Sequence, residues 1–332
     1  MCISVAFVSC NEKYNIPHDQ RIEYDIPSGF PPMIYPVGSE PTTLRVLLGR
    51  ILFYDKRLSA NNQFSCGSCH SLSMAFTDGK VVPSGFSDLP GKRNVSTLTN
   101  VGFQPYYLFE GGAPTLETQA LVPLHDTLEM GQNMMDAIDE LNQDEYLREL
   151  SRLAFDRDSI DPWVVTRSLA IFQRTFISGD SYFDRYKRGQ TDALSDAALR
   201  GMELFFSERT NCSSCHSGVF FTDFGFYNIG SGAAHDPGRF RLTHEPVDSG
   251  KFKTPTLRNV ALTAPYMHDG TFNSLSDVLR YYNRGGNHSV NKDERIVPLG
   301  LSDKELDALK IFLECLTDWN FVQDKRLLPL ER

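Results

Sequence analysis

The chain of 332 residues carries 33 lysines and arginines against 42 aspartates and glutamates, a formal net charge of −9 with histidines neutral. That balance argues against a nucleic-acid partner, which needs a basic face, and suits the docking of a small basic protein. Hydrophobic residues make up 41%, enough at this length for two cores, and no apolar run reaches the roughly 18 residues that a spanning helix needs.

In chain order, Ile3-Ser4-Val5-Ala6-Phe7-Val8-Ser9-Cys10 reads as the tail of an apolar export segment ending at a lipidated cysteine. Small Ser9 before Cys10 and polar Asn11-Glu12-Lys13 after it fit a lipid anchor, and the missing basic start implies a clipped leader. Residues 14–40 are rich in Pro, Tyr and Gly and are expected to form an irregular arm on the first domain. Thr42 or Thr43 can cap a helix with Leu44, Leu47, Leu48, Ile51 and Leu52 on one face.

That helix leads to Cys66-Gly67-Ser68-Cys69-His70, and the pattern returns as Cys212-Ser213-Ser214-Cys215-His216. C-x-x-C-H is the attachment sequence of a c-type haem: two thiols bond the porphyrin edge and the next histidine ligates iron. One helical turn sets both sulfurs on one side and aims the imidazole at the metal. Chance predicts on the order of 0.004 such pentapeptides in a chain of this composition. A zinc site would want closed sets of four N/S ligands and would leave both histidines idle. A redox dithiol wants a βαβ context, which neither site has. Since haem is attached covalently after export, the two sites also predict a periplasmic location.

The two stretches belong to a longer internal repeat. Gly49-Arg50-Ile51-Leu52-Phe53 before the first site echoes Gly201-Met202-Glu203-Leu204-Phe205 before the second, and Phe76-Thr77-Asp78 echoes Phe221-Thr222-Asp223 after it. A duplication of this kind implies two cytochrome-c-like domains, each enclosing one covalently attached haem. The expected division is a leader and arm over 1–40, a first haem domain over 41–185 and a second over 186–332. Asp161 and Pro162 cap and open a helix carrying Val165, Leu169, Phe172 and Phe176. Ser178-Gly179-Asp180 and the polar run to Ser195 read as a linker. Ser274-x-x-Asp277 and Ser302-x-x-Glu305 open two more amphipathic helices, the first with Leu275, Val278, Leu279 and Tyr282 on its stripe and Tyr281 off it. Strand signals are sparse, so the fold class is mainly α with long loops.

Further motifs follow in a characteristic order: Ser84-Gly85 through Gly91-Lys92-Arg93-Asn94, Phe109-Glu110-Gly111-Gly112, Leu116-Glu117-Thr118-Gln119-Ala120 and Glu129-Met130-Gly131, then Lys253-Thr254-Pro255-Thr256-Leu257-Arg258-Asn259 and Pro265-Tyr266-Met267-His268-Asp269-Gly270. With these, residues 40–325 resemble the bacterial dihaem cytochrome c peroxidases and their MauG-type relatives. The resemblance implies that the His70 haem meets hydrogen peroxide and the His216 haem passes electrons from a small cytochrome or copper protein. It also implies that Gln119 and Glu129 form the distal pair over the first haem. A carboxylate there can carry a proton from the inner to the outer peroxide oxygen, help typically worth about 10²–10⁴-fold.

Two positions depart from the peroxidase pattern. Phe86 stands where many relatives carry a removable distal histidine, so the first haem is expected to be open without reductive activation. Phe109 stands where a tryptophan links the haems, and phenylalanine is not readily oxidised. At the second haem Tyr282 matches the axial position, as in the MauG-type branch, with Met267 and then His268 as competing ligands. A hard phenolate favours ferric iron and lowers the potential relative to a thioether. Asn94 and the carbonyls of Thr263 and Pro265 match a calcium site, an oxygen-only donor set, and Arg258 is a candidate partner for a haem propionate or an ordinary surface arginine. The resemblance thus points to a cytochrome c peroxidase. A MauG-like oxidase of a partner protein and a plain dihaem electron carrier are the alternatives. A second copy of the chain is a further candidate partner.

Overall fold

The structure, a computed structural model, describes residues 14–87, 89–231 and 236–330. Cys2 and Cys10, and with them the lipid-anchor expectation, lie outside the described residues. The first half holds α1 (Thr43–Phe53), α2 (Cys66–Cys69), α3 (Leu116–Gln119), α4 (Leu121–His125), α5 (Met134–Leu141), α6 (Glu145–Phe155) and α7 (Pro162–Gln173). The second holds α8 (Tyr182–Lys187), α9 (Asp196–Phe205), α10 (Phe240–Thr243), α11 (Leu275–Asn283) and α12 (Asp303–Glu314). Among the described residues the sheet is a two-stranded antiparallel ribbon, β1 (Phe226–Tyr227) against β2 (Phe252–Lys253). The protein is therefore mainly helical, and its helices start where the caps lie. Thr42 accepts from the Arg45 amide, Asp161 from the Val164 amide with Pro162 behind it, and Ser274 from the Asp277 amide.

Two hydrophobic clusters repeat one construction. In the first, α1 crosses α7 at Gly49, where any added methyl would strike the Ser168 carbonyl and the Phe172 Cβ. In the second, α9 crosses α12 at Gly201, where a methyl would strike the Ala308 carbonyl and the Phe312 Cβ. A glycine at each crossing lets the backbones touch and seats a phenylalanine beneath α1 in the first half and α9 in the second. Leu48, Leu52, Phe53, Phe172 and Phe176 fill the first core. Phe205, Phe221, Leu309, Phe312 and Leu316 fill the second.

The structure revises three expectations about how the halves join. The arm rests on both halves, because the Phe30 ring meets Phe103 at 5.6 Å and Phe220 at 4.8 Å. Phe321, Val322 and Leu327 return to the first core, and Tyr54 Oη donates to the Leu327 carbonyl at 2.6 Å. The stretch read as a linker is anchored: Asp318 Oδ2 accepts from the amides of Gly179 and Asp180, both at 2.9 Å, and α8 follows directly. Phe183 of α8 already packs on the second core. Polarity suggested a tether, but these backbone donors are spent on a buried carboxylate.

Candidate haem sites and active site

Each C-x-x-C-H stretch begins on a short turn. Ser65 and Ser68 close a capping box around α2, the Ser65 amide donating to Ser68 Oγ at 3.0 Å. The four motif cysteines are free thiols. Burial pushes Cys66 up to about 12 and Cys69 up to about 11, with the neighbouring acids adding to the effect. Burial likewise raises Cys212 and Cys215.

The chain then turns through left-handed residues, Ala75 and Phe76 in the first half and Phe221 in the second. This aims a carbonyl back at each histidine. His70 Nδ1 lies 2.7 Å from Phe76 O, and His216 Nδ1 lies 3.1 Å from Phe221 O. A carbonyl accepts, so Nδ1 carries the proton and Nε2 keeps the lone pair that ligates a metal. Burial lowers both histidine pKa values, favouring the neutral ligand form. Free thiol pairs and tautomer-locked imidazoles fit two c-type haems.

Different groups face the two motifs. In the first half, a turn after α4 carries Glu129. Asp126 builds that turn, its carbonyl accepting from the amides of Glu129 at 3.0 Å and Gly131 at 2.9 Å, and its Oδ1 from the Leu128 amide at 2.8 Å. The Phe86 amide donates to Glu129 O at 2.8 Å. The Phe86 ring lies flush against Gly131, whose left-handed φ of 58° and missing Cβ make room for it. The half-buried Glu129 carboxyl raises the pKa values of both Cys66 and Cys69 and so sits beside the first motif. Burial, then the charge of Asp126, pushes Glu129 up to about 7. Gln119 ends α3 above the buried Leu116; no hydrogen bond joins it to Glu129 among the described residues.

In the second half, the tyrosine pair on α11 divides in a way the helical stripe misjudged. Tyr281 is fully buried, its hydroxyl donating to Ile229 O at 3.0 Å and accepting from the Asn287 amide at 3.1 Å. It is the satisfied core tyrosine. Tyr282 is half-buried, and burial first, then the Cys212 and Cys215 thiols, raises its phenol. The helix is buried on two sides: Leu275 and Leu279 meet the core, while Tyr281 plugs the loop after α11. His268 stacks on Phe252 at 3.7 Å, and its charged neighbours are Asp269, Asp236 and Arg93 rather than the motif cysteines.

Arg258 is neither exposed nor free. It is 3% exposed and grips Asp184 through both fork nitrogens, at 2.8 and 2.9 Å. Burial alone would raise Asp184, but the guanidinium holds it below the usual carboxylate range. Asn94 bridges the halves, its amide donating to His268 O at 2.7 Å and its side chain to the carbonyls of Lys80 and Val81 at 2.7 and 3.1 Å. No amide of the described residues donates to Thr263 O or Pro265 O. Sequence reasoning missed Asp126, which builds the Glu129 turn, and Asp184, whose partner lies in a distant segment. It also missed the pairing of Tyr227 with Asp223. Only Asp126 left a local signal, an Asp three positions before Glu129.

Residues 43–192 match the family model described as di-haem cytochrome c peroxidase. The chain is 35% identical to methylamine utilization protein MauG of Methylorubrum extorquens over 85% of its length and 80% of the relative. It is 30% identical to cytochrome-c peroxidase IdrP1 of Pseudomonas sp. strain SCT over 86% of its length and 84% of the relative. Among solved structures, a MauG-like protein associated with microbial copper homeostasis superposes with a TM-score of 0.87 at 32% identity, covering 93% of this chain and 99% of that one. The chain belongs to the dihaem cytochrome c peroxidase family, in its MauG-type branch.

Proposed function

We propose that the protein reduces hydrogen peroxide to water at the His70 site with electrons that enter through the His216 site from a small redox protein. Cys66 and Cys69 would hold the first haem and Cys212 and Cys215 the second, each through thioethers; bound there, the haems supply electrons and a metal that binds peroxide. Glu129 is the observation that carries this reading: a half-buried carboxyl with a pKa near 7 beside the first motif. A group so poised takes a proton from one peroxide oxygen and returns it to the other at neutral pH. Gln119 completes the polar side of that pocket, and Phe86, which cannot ligate iron, keeps it open. Tyr282, beside Cys212 and Cys215, would hold the iron of the second haem and so leave that site to electron transfer. Asn94 with the Thr263 and Pro265 carbonyls holds one calcium ion across the seam. The two halves act as separate haem domains, in the periplasm.

Electron paramagnetic resonance of the ferric holoprotein is expected to show one high-spin and one low-spin haem; two low-spin signals would point to a plain electron carrier. Steady-state peroxide turnover with a reduced cytochrome c is expected alongside it. Tyr282→Phe is expected to alter the low-spin spectrum alone, and an unchanged spectrum would return Met267 to consideration.

A further inference from the structure

We propose that Tyr227 and Asp223 form a proton-coupled redox relay beside the second haem-attachment site. Tyr227 yields an electron while its phenolic proton passes to Asp223. The proposal rests on the peroxidase reading above. The geometry begins at the motif itself. The Asp223 amide donates to Cys215 O at 2.8 Å, and Tyr227 Oη donates to Asp223 Oδ2 at 2.7 Å. Two hydrogen bonds therefore connect the haem-bearing segment to an oxidisable ring. The carboxylate is held in aim, because its Oδ1 accepts from the Gly225 amide at 2.8 Å.

The surroundings favour loss of an electron there. The Arg295 guanidinium lies 4.3 Å from the centre of the Tyr227 ring, and a lone cation so close would oppose oxidation. Asp293 pairs with Arg295, at 2.7 and 2.8 Å, and so offsets much of that cation's charge. The hydrogen bond to Asp223 and then burial raise the phenol's pKa, against a hydrogen bond from Arg295 that lowers it. Loss of an electron is therefore coupled to transfer of the proton along the bond to Asp223. Asp223 is exposed and hands that proton on to water.

Position adds a second argument. Tyr227 faces Phe252 across the ribbon, and the next residue of β2, Lys253, donates its amide to Phe109 O at 2.7 Å. The relay thus stands one strand away from Phe109. The internal repeat supplies the control. Asp78 holds the matching place in the first half and its Oδ1 likewise accepts from a turn amide, that of Lys80, at 3.0 Å. Its Oδ2 is buried with no phenol and no other hydrogen-bond partner among the described residues. The fold therefore does not need the tyrosine, and only the half assigned to electron entry has it.

In the step, Tyr227 supplies one of the two electrons that reduce hydrogen peroxide to water, the haems supplying the other, and its O–H bond breaks, giving a neutral phenoxyl radical and protonated Asp223. One electron from the donor protein and the returning proton restore both groups. The test is freeze-quench electron paramagnetic resonance of the holoenzyme after one equivalent of hydrogen peroxide, with ring-deuterated tyrosine incorporated to identify a tyrosyl radical by its narrowed line. The wild type is expected to give that signal, Tyr227→Phe to lose it with both haem absorption spectra intact, and Asp223→Asn to weaken it. The exposed Tyr106→Phe variant is expected to keep it. Peroxide consumed with no tyrosyl signal, or with an undiminished signal in Tyr227→Phe, overturns the relay and leaves the peroxidase reading standing. Peroxide left unconsumed by the wild type overturns both.

Discussion

The two halves use the same scaffold to present different chemistry. Each crosses two helices at a glycine, Gly49 or Gly201, and each ties its histidine Nδ1 to a carbonyl five or six residues on. They diverge in the segment that returns over the motif. The first half brings a loop with a carboxyl near neutrality, and the second brings a helix with a raised phenol. On the proposed function, duplication supplied two haem cradles and the covering segment decides which one reacts. What a haem does is governed more by the group opposite its histidine than by the cradle.

The sharpest way to break this asymmetry is at Glu129. Glu129→Gln removes the proton carrier while keeping the shape, and is expected to lower peroxide turnover by about 10²–10⁴-fold with both haem spectra unchanged. The wild-type pH profile carries the same signature. Glu129 titrates near 7 because burial and then Asp126 disfavour its charge. Only its ionised form can take the peroxide proton, so kcat/KM for peroxide is expected to fall about tenfold per pH unit below that value and to level off above it. In Glu129→Gln that slope should vanish. A variant with wild-type turnover and profile would remove Glu129 from the chemistry.

Next in size is the buried ion pair that ties α8 into the second half. Asp184→Ala strands Arg258 in a buried site, and loss of one partner from such a pair costs about 3–5 kcal/mol. A urea titration followed by circular dichroism measures it. The conservative Asp184→Asn keeps the shape and part of the hydrogen bonding, so it should cost less. Equal losses would mean that packing rather than charge governs the site.

How much of this was legible beforehand follows from the range of each interaction. Caps such as Thr42, Asp161 and Ser274 act over three residues, and the structure has them where the sequence put them. The histidine and cysteine spacings are equally local. What escaped notice was tertiary. Arg258 had no readable partner because Asp184 lies on another element, and the residues after Ser178 looked like a tether because Asp318 is remote in sequence. Tyr281 and Tyr282 were told apart by a one-sided stripe, which fails on a helix buried on two sides. Glu129 was marked by resemblance alone, since its raised pKa comes from enclosure, which no short motif encodes.

The smallest predicted effect tests whether the two scaffolds are equivalent. At Gly49 and at Gly201 an added methyl meets a backbone carbonyl and the Cβ of a fully buried phenylalanine. Overpacking of this kind typically costs about 1–3 kcal/mol, since the helices must separate to admit the methyl. Gly49→Ala and Gly201→Ala should therefore destabilise by similar amounts in urea titrations, even though one core lies under the site proposed to react with peroxide and the other under the site proposed to pass electrons. Their functional consequences should differ. Separation of α1 from α7 loosens the half that presents Glu129 and should reduce peroxide turnover, whereas separation of α9 from α12 should slow electron entry first. Stability losses that differ by more than about 1.5 kcal/mol, over half of the span expected for either substitution, would mean that the crossings are alike in sequence but not in packing. The division of labour would then reach down into the cores.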